Sequence, residues 1–248
     1  MSDLKNKVVL ITGSSSGIGA MTALEFARNG AKVMINYKAN RKGAEDSVNQ
    51  INQLNIETFS FQADVSVEKE AAKLINETIN MFGTLDIVVN NAGGYIEGDE
   101  WNKDNSAWKQ TLDNNLISVL NISKYATKYF LENKKGNFIN IASVRGLKGI
   151  HDGIAYSASK AGVINITQAY AKLLAPFGRA NSISPGPVNT GYWLNASDDE
   201  LQEQYDKSIL NKLSETLDIA NAIIFLASNK SQMITGQNIC IDGGFSIL

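Results

Sequence analysis

Tyr156 and Lys160 stand four residues apart in a stretch of helical period, and Ser143 lies thirteen residues before the tyrosine. Side chains at i and i+4 on a helix share one face. An ammonium near a phenol stabilises phenolate and so lowers a pKa that is about 10 in free tyrosine. A phenol tuned toward neutrality can hand a proton to a substrate oxygen or take one back. The chemistry indicated is acid–base work on a carbonyl or an alcohol. It needs a partner group and a scaffold that brings Ser143, Tyr156 and Lys160 to one oxygen.

The scaffold reads as alternating strands and helices. Short apolar, β-branched runs predict strands at 8–12, 32–36, 57–62, 85–90, 137–142, 179–184 and 238–242. Helical period predicts helices at 17–29, 41–54, 67–82, 106–131, 154–175, 198–207 and 217–227. Strands with no polar alternation, separated by helices, mean a parallel sheet covered on both faces. The expected fold is a doubly wound, Rossmann-like α/β domain with seven parallel strands, right-handed crossovers and helices on both faces. No linker, repeat or low-complexity tract divides residues 1–248, so one domain is expected. Residues 187–212 break the βα rhythm. Ligands of such sheets bind beyond the carboxyl ends of the strands, so this excursion is expected to be a substrate lid.

The 248 residues are 44% hydrophobic and carry a formal net charge of -2, which gives no reason to expect nucleic acid or a membrane surface as partner. Cys240 is the only cysteine and His151 the only histidine, so no internal disulfide and no metal site is expected. The first seven residues lack an apolar signal region, and a cytoplasmic protein is expected.

The first strand runs into Thr12-Gly13-Ser14-Ser15-Ser16-Gly17-Ile18-Gly19 and then a helix. Glycines at such a turn let backbone approach a pyrophosphate and leave the helix N-terminus open to it. The spacing is Gly-x3-Gly-x-Gly rather than Gly-x-Gly-x-x-Gly, and a ligand-free strand-to-helix turn is the lesser alternative to a dinucleotide site. The end of the second strand bears on which nicotinamide cofactor is taken. A carboxylate there would favour NAD by accepting from the ribose 2′-hydroxyl. Asn36, Tyr37, Lys38, Asn40, Arg41 and Lys42 stand there instead, with no acid before Glu45. Positive charge beside the 2′ position suits a phosphate, so NADP(H) is preferred and NAD(H) remains the alternative. A solvated basic helix start is the other reading of that cluster. Asp64-Val65 follows the third strand, where the acid could cap a helix or meet adenine. Asn91, Ala92, Gly93 and Gly94 follow the fourth, where small residues suit close packing against backbone.

Taken in order, Thr12-Gly13-x3-Gly17-x-Gly19, Asp64-Val65, Asn90-Asn91-Ala92-Gly93, Asn115, Ser143, Tyr156-x3-Lys160, Pro185-Gly186-x3-Thr190 and Asp242-Gly243-Gly244 resemble the short-chain dehydrogenase/reductase family along the whole chain. The resemblance implies a dinucleotide held by Gly13, Ser15, Ser16, Gly17, Ile18, Gly19, Asn36, Tyr37, Lys38, Asp64, Val65, Asn91, Ala92 and Gly93. Tyr156, Lys160, Pro185, Gly186, Val188 and Thr190 would complete that site. It also implies Tyr156 as acid/base and Lys160 as the residue that tunes it and holds the nicotinamide ribose. Ser143 would bond the substrate oxygen, and Asn115 would anchor a water leading from Lys160 to solvent. Asp242-Gly243-Gly244 resembles a terminal segment used in tetramer contacts, so a homotetramer, or a dimer, is expected.

The substrate pocket is drawn from Gly94, Tyr95, Arg145, His151, Tyr192 and Trp193, with Ser143, Arg145, His151, Tyr156 and Tyr192 as the residues expected to touch substrate. Within the family, 3-oxoacyl-carrier-protein reductases and glucose-type sugar dehydrogenases look closest in layout. The former usually continue after Asn-Asn-Ala-Gly with Thr-Arg-Asp. Gly94-Tyr95-Ile96-Glu97-Gly98-Asp99 stands here instead, which favours a different carbonyl substrate, such as a sugar. The expected function is hydride transfer between NADP(H) and a carbonyl or secondary alcohol. Two competing readings are a cofactor-sensing protein without chemistry and an epimerase or dehydratase with bound NAD. Degraded catalytic positions would mark the first, and a longer C-terminal substrate domain usually marks the second.

Overall fold

The apolar runs form one sheet in a computed structural model, which describes residues 3–103 and 105–248 apart from the side chain of Tyr192. The strands are β1 (Val8–Ile11), β2 (Lys32–Tyr37), β3 (Thr58–Gln62), β4 (Ile87–Asn90), β5 (Asn137–Ile141), β6 (Arg179–Pro185) and β7 (Asn238–Ile241). They pair in the order β3-β2-β1-β4-β5-β6-β7, every pair parallel. The helices are α1 (Gly17–Arg28), α2 (Arg41–Asn52), α3 (Glu68–Phe82), α4 (Ser106–Leu112), α5 (Ser118–Glu132), α6 (Ile154–Leu174), α7 (Asp198–Asp206) and α8 (Thr216–Ala227). The chain runs outward from β1 to β3 and returns to lay β4 on the other side of β1. Connections leave β1 and β4 in opposite directions there, and the crevice between them is where doubly wound sheets take ligands.

Alternation along the strands feeds two cores. Val9, Ile11, Val33 and Ile35 pack with Phe26, Ile51 and Ile223, on the face covered by α1, α2 and α8. Val8, Leu10, Met34, Val88 and Phe138 pack with Leu74, Ile122 and Leu174, under α3, α5 and α6. With both faces covered, neither face needs polar residues, which is why β1 and β4 are continuous apolar runs. β3 departs from this pattern. It is an edge strand, and Ser60 and Gln62 alternate outward to solvent.

The helix expected at 106–131 is interrupted. α4 gives way to a single π-helical turn at Asp113–Ile117 before α5 begins. The buried Asn115 side chain donates from Nδ2 to the Thr111 carbonyl at 3.0 Å, so a side chain enters the backbone ladder and the turn widens. A buried polar chain ties the middle of the sheet to α6. Asn90 Nδ2 donates to Asn140 Oδ1 at 2.8 Å, and Asn140 Nδ2 donates to Thr167 Oγ1 at 2.9 Å.

Candidate active site

β5 and α6 bring the chemistry-bearing residues together. Past β5, the Ala142 amide still bonds to Ile183 of β6, and the chain then turns at Ser143. Ser143 Oγ caps that turn by accepting from the Arg145 amide at 3.1 Å. Gly146 lets the turn press against α6, since a Cβ there would lie 2.7 Å from the Lys160 carbonyl carbon and 2.8 Å from the Ala161 nitrogen. This approach sets Ser143 against the first turns of α6. The Ser143 side chain lies near enough to the Tyr156 hydroxyl to favour the ionised phenol.

Lys160 lies on the same face of α6, as its spacing requires. Its Nζ is 5.6 Å from the Tyr156 ring centroid and donates to the Ile141 carbonyl at 2.9 Å. Burial opposes charge on both residues. It raises the Tyr156 pKa above the ordinary value, against lowering by the nearby Ser143 hydroxyl and Arg145 guanidinium. It lowers the Lys160 pKa to about 8. Desolvation is thus the largest influence on the phenol in this structure.

Asn115 is fully buried and faces the β4 turn. Its Oδ1 accepts from the Gly94 amide at 2.9 Å and its Nδ2 donates to the Gly94 carbonyl at 2.8 Å. Gly93, at φ 134°, makes room for this: a Cβ there would meet Asn115 Oδ1 at 2.5 Å.

The glycine turn after β1 has the shape a diphosphate needs. Gly13 and Gly17 have φ of 63° and 55°, in the left-handed region open to glycine. A Cβ on Gly19 would sit 2.5 Å from the Gly13 carbonyl oxygen and 2.8 Å from Ser14 Cα. Ser16 occupies the N-cap of α1 without a side-chain capping bond, so its hydroxyl does not occupy the helix N-terminus. Thr12 Oγ1 accepts from the Asn91 and Ala92 amides, both at 3.0 Å, and Asn91 Nδ2 returns bonds to Thr12 and Gly13. Thr190 approaches from the segment after β6, where a Cβ on Gly17 would meet its Oγ1 at 2.8 Å. Pro185, Gly186 and Val188 lie on that same approach, with Val188 buried and bridged to Ser214.

Several expected cofactor residues also have internal partners. Asn36 is buried, with Oδ1 accepting from the Gly13 amide at 3.2 Å and Nδ2 donating to the Ala63 and Phe61 carbonyls at 3.1 and 3.3 Å. It locks the turn rather than facing outward. Val65 and the partly buried Ile18 add side chains to the two cores, and the Tyr37 side chain is buried in the first. Asp64 accepts from Ser66 and pairs with Lys38 at 2.7 Å. Against a burial penalty, Lys38 and Ser66 hold the Asp64 carboxyl below its usual range. Arg41 and Lys42 are exposed at the start of α2, and Asn40 caps that helix while donating to the Ser15 carbonyl at 3.3 Å.

On the substrate side, Arg145 lies 5.6 Å over the Tyr95 ring, and Tyr95 meets Tyr156 edge-on at 6.2 Å. Arg145 and the exposed His151 line a cavity of about 490 Å³ with Leu147, Ile150 and Ile154, whose lining includes neither Ser143 nor Tyr156. The Tyr192 side chain lies outside the described residues. Asp242-Gly243-Gly244 holds the base of the excursion at 187–212: the Gly243 carbonyl accepts from Ser208 Oγ and the Leu210 amide, both at 3.1 Å.

Comparison with known proteins agrees with this geometry. A family model described as enoyl-(acyl carrier protein) reductase matches residues 13–246. The chain is 37% identical over 241 residues to the 3-oxoacyl-(acyl-carrier-protein) reductase FabG of Staphylococcus epidermidis, covering 96% of this chain and 98% of that one. It belongs to the short-chain dehydrogenase/reductase family. The Staphylococcus aureus FabG is 38% identical over 240 residues, covering 96% and 97% of the two chains. Among solved structures, an NADPH-dependent 3-quinuclidinone reductase from Rhodotorula rubra superposes with a TM-score of 0.92 at 29% identity, over 99% of this chain and 93% of that one. A short-chain type dehydrogenase/reductase from Mycobacterium ulcerans gives 0.92 at 28% identity, over 98% and 90%. This short-chain dehydrogenase/reductase is thus an NAD(P)-dependent oxidoreductase enzyme.

Proposed function

We propose that this reductase converts a carbonyl compound to a secondary alcohol with NADPH, and that Tyr156 donates the proton. The observation that carries this reading is the convergence of Ser143, at the turn after β5, and Lys160, 5.6 Å from the ring centroid, on Tyr156. The turn from Gly13 to Gly19 and the start of α1 would hold the pyrophosphate, because the backbone there leaves no room for side chains. Thr190 and the backbone at Val188 would hold the nicotinamide end. When bound, the cofactor supplies a hydride to the carbonyl carbon. Ser143 and Tyr156 donate to the carbonyl oxygen as negative charge builds there, and Tyr156 transfers its proton to it. Lys160 then lies beside the resulting phenolate. Burial disfavours the phenolate, so Tyr156 is protonated at neutral pH, as an acid that donates to the carbonyl oxygen must be.

Arg41 is the residue proposed to favour NADPH. No carboxylate follows β2 before Glu45, and Lys38 is already paired with Asp64, so Arg41 carries the exposed charge nearest that turn in sequence. On the substrate side, Tyr95, Arg145 and His151 are proposed to face the substrate. The FabG relatives favour 3-oxoacyl thioesters, while the segment at 94–99 lacks the Thr-Arg-Asp usual in those reductases and counts against that substrate. A panel of ketones, quinones, sugars and acyl thioesters, run with NADPH and NADH, decides among them. Tyr156→Phe is expected to abolish turnover while NADPH still quenches the protein fluorescence. Retained turnover would remove Tyr156 as the acid, and NADPH binding without turnover of any substrate would remove the enzyme reading.

A further inference from the structure

Asp99 is wholly buried, in the loop that follows β4, and its carboxylate faces the start of α6. Oδ1 accepts from the Ala155 amide at 2.9 Å and Oδ2 from the Tyr156 amide at 2.7 Å. Its own carbonyl accepts from the Ile154 amide at 3.4 Å. Three of the N-terminal N–H groups that a helix cannot satisfy internally are therefore met by one residue more than fifty positions away. The local N-cap cannot do this, because Gly153 has no side chain. A Cβ at 153 would lie 3.0 Å from Arg145 Nη1 and 3.4 Å from the Tyr95 ring, so a local capping side chain would crowd the residues beside Tyr156. The negative carboxylate also lies at the positive end of the α6 dipole.

We propose that Asp99 is a positioning residue for the reaction. It fixes the Tyr156 backbone from outside the helix and couples the loop from Gly94 to Asp99 to the acid/base. The loop is held at both ends. Asn115 clamps Gly94 and the start of α6 holds Asp99, while Tyr95 between them lies edge-on to Tyr156. Removing the carboxylate frees the loop and the first turn of α6 together, so the phenol loses its alignment with Ser143. The glycine turn and Thr190, which hold the pyrophosphate and nicotinamide ends in the proposed function, lie outside the freed loop and helix turn, so dinucleotide affinity is expected to change far less than turnover.

The proposal rests on Tyr156 being the acid/base, and the test separates the two. Asp99→Ala and Asp99→Asn are compared with the wild-type chain and with Tyr156→Phe, using ethyl acetoacetate and the best carbonyl substrate of the panel. In Asp99→Ala, kcat is expected to fall about 10²-fold, the size of effect that small misplacements produce, with the NADPH Kd within about twofold. Asp99→Asn keeps one acceptor oxygen and is expected to fall about tenfold. Hydrogen exchange of the cofactor-free variants is expected to rise roughly tenfold at residues 94–99 and 154–157 and to stay unchanged in α1. Wild-type kcat and exchange in both variants would overturn the proposal. So would a parallel loss of kcat and NADPH affinity, which marks general loosening. If Asp99→Ala does not fold, Asp99→Asn decides by the same readings. Turnover by Tyr156→Phe would instead remove the catalytic reading beneath it.

Discussion

Burial favours the neutral forms of both Tyr156 and Lys160, and that has a measurable consequence for stability. Lys160 holds its proton less tightly in the folded protein, at about pH 8, than its ordinary value of 10.5. The unfolded chain therefore binds more protons between those values. Stability is penalised below about pH 8 and recovers as pH rises toward 10.5, by something on the order of 3 kcal/mol. Thermal unfolding of the cofactor-free protein at pH 7.5 and pH 9.5 is expected to show this rise, and Lys160→Met is expected to flatten it. An unchanged slope in Lys160→Met would assign the rise to other groups. Arg41→Ala is expected to weaken NADPH by about tenfold and NADH little, with Lys38→Ala smaller because Asp64 already neutralises Lys38; one tenfold step is about 1.4 kcal/mol, within the range for a charge-assisted bond. Equal losses for both cofactors would make the cluster a solvated helix start. At this scale the sequence carried residue types and order well. Ser143, Tyr156 and Lys160 are where their spacing puts them. What it could not carry was each side chain's partner: Asn36 and Asp99 have partners far along the chain, and no local pattern shows them.

Elements were legible wherever burial imposes a pattern. The strands of a doubly covered parallel sheet must be apolar runs, and β1 and β4 read that way. β3 was legible for a different reason, its β-branched and aromatic residues, since its outward face is polar. The break between α4 and α5 was invisible, because Asn115 widens the turn through a side-chain bond that leaves the helical period of the flanking residues intact. Gly146 carried no motif either. Its meaning comes from the approach of the β5 turn to the α6 backbone at Lys160. Gly146→Ala forces backbone apart at that contact and is expected to lower kcat about 10- to 100-fold, with helical content retained. Wild-type kinetics in Gly146→Ala would mean that the turn and α6 can separate without moving Ser143 from Tyr156.

Across the whole molecule, the proposed function draws most of its dinucleotide cradle from residues up to Asn115, and its chemistry from those from Ser143 onward, where a segment also reaches back to Gly17 through Thr190. Binding should tie these parts together. NADPH at a hundredfold excess over its Kd adds about 2.7 kcal/mol, which for a chain of this size raises Tm by roughly 5–10 °C. Proteolysis within 191–210 should slow in parallel, and a Tm shift without such protection would separate the lid from the cofactor. Met233, Ile247 and Leu248 expose apolar surface in the C-terminal region, which fits a contact between copies, and sedimentation should report an oligomer. A monomer at micromolar concentration would remove that expectation. Finally, the Asn36 clamp constrains any redesign of coenzyme choice. The direct route to an NAD-selective variant would place a carboxylate at the end of β2, yet Asp at 36, while still able to accept from the Gly13 amide, would set an acceptor oxygen against the carbonyls of Phe61 and Ala63 where Asn36 donates. An engineer would begin one or two positions later, at Tyr37 or Lys38, and leave this asparagine untouched.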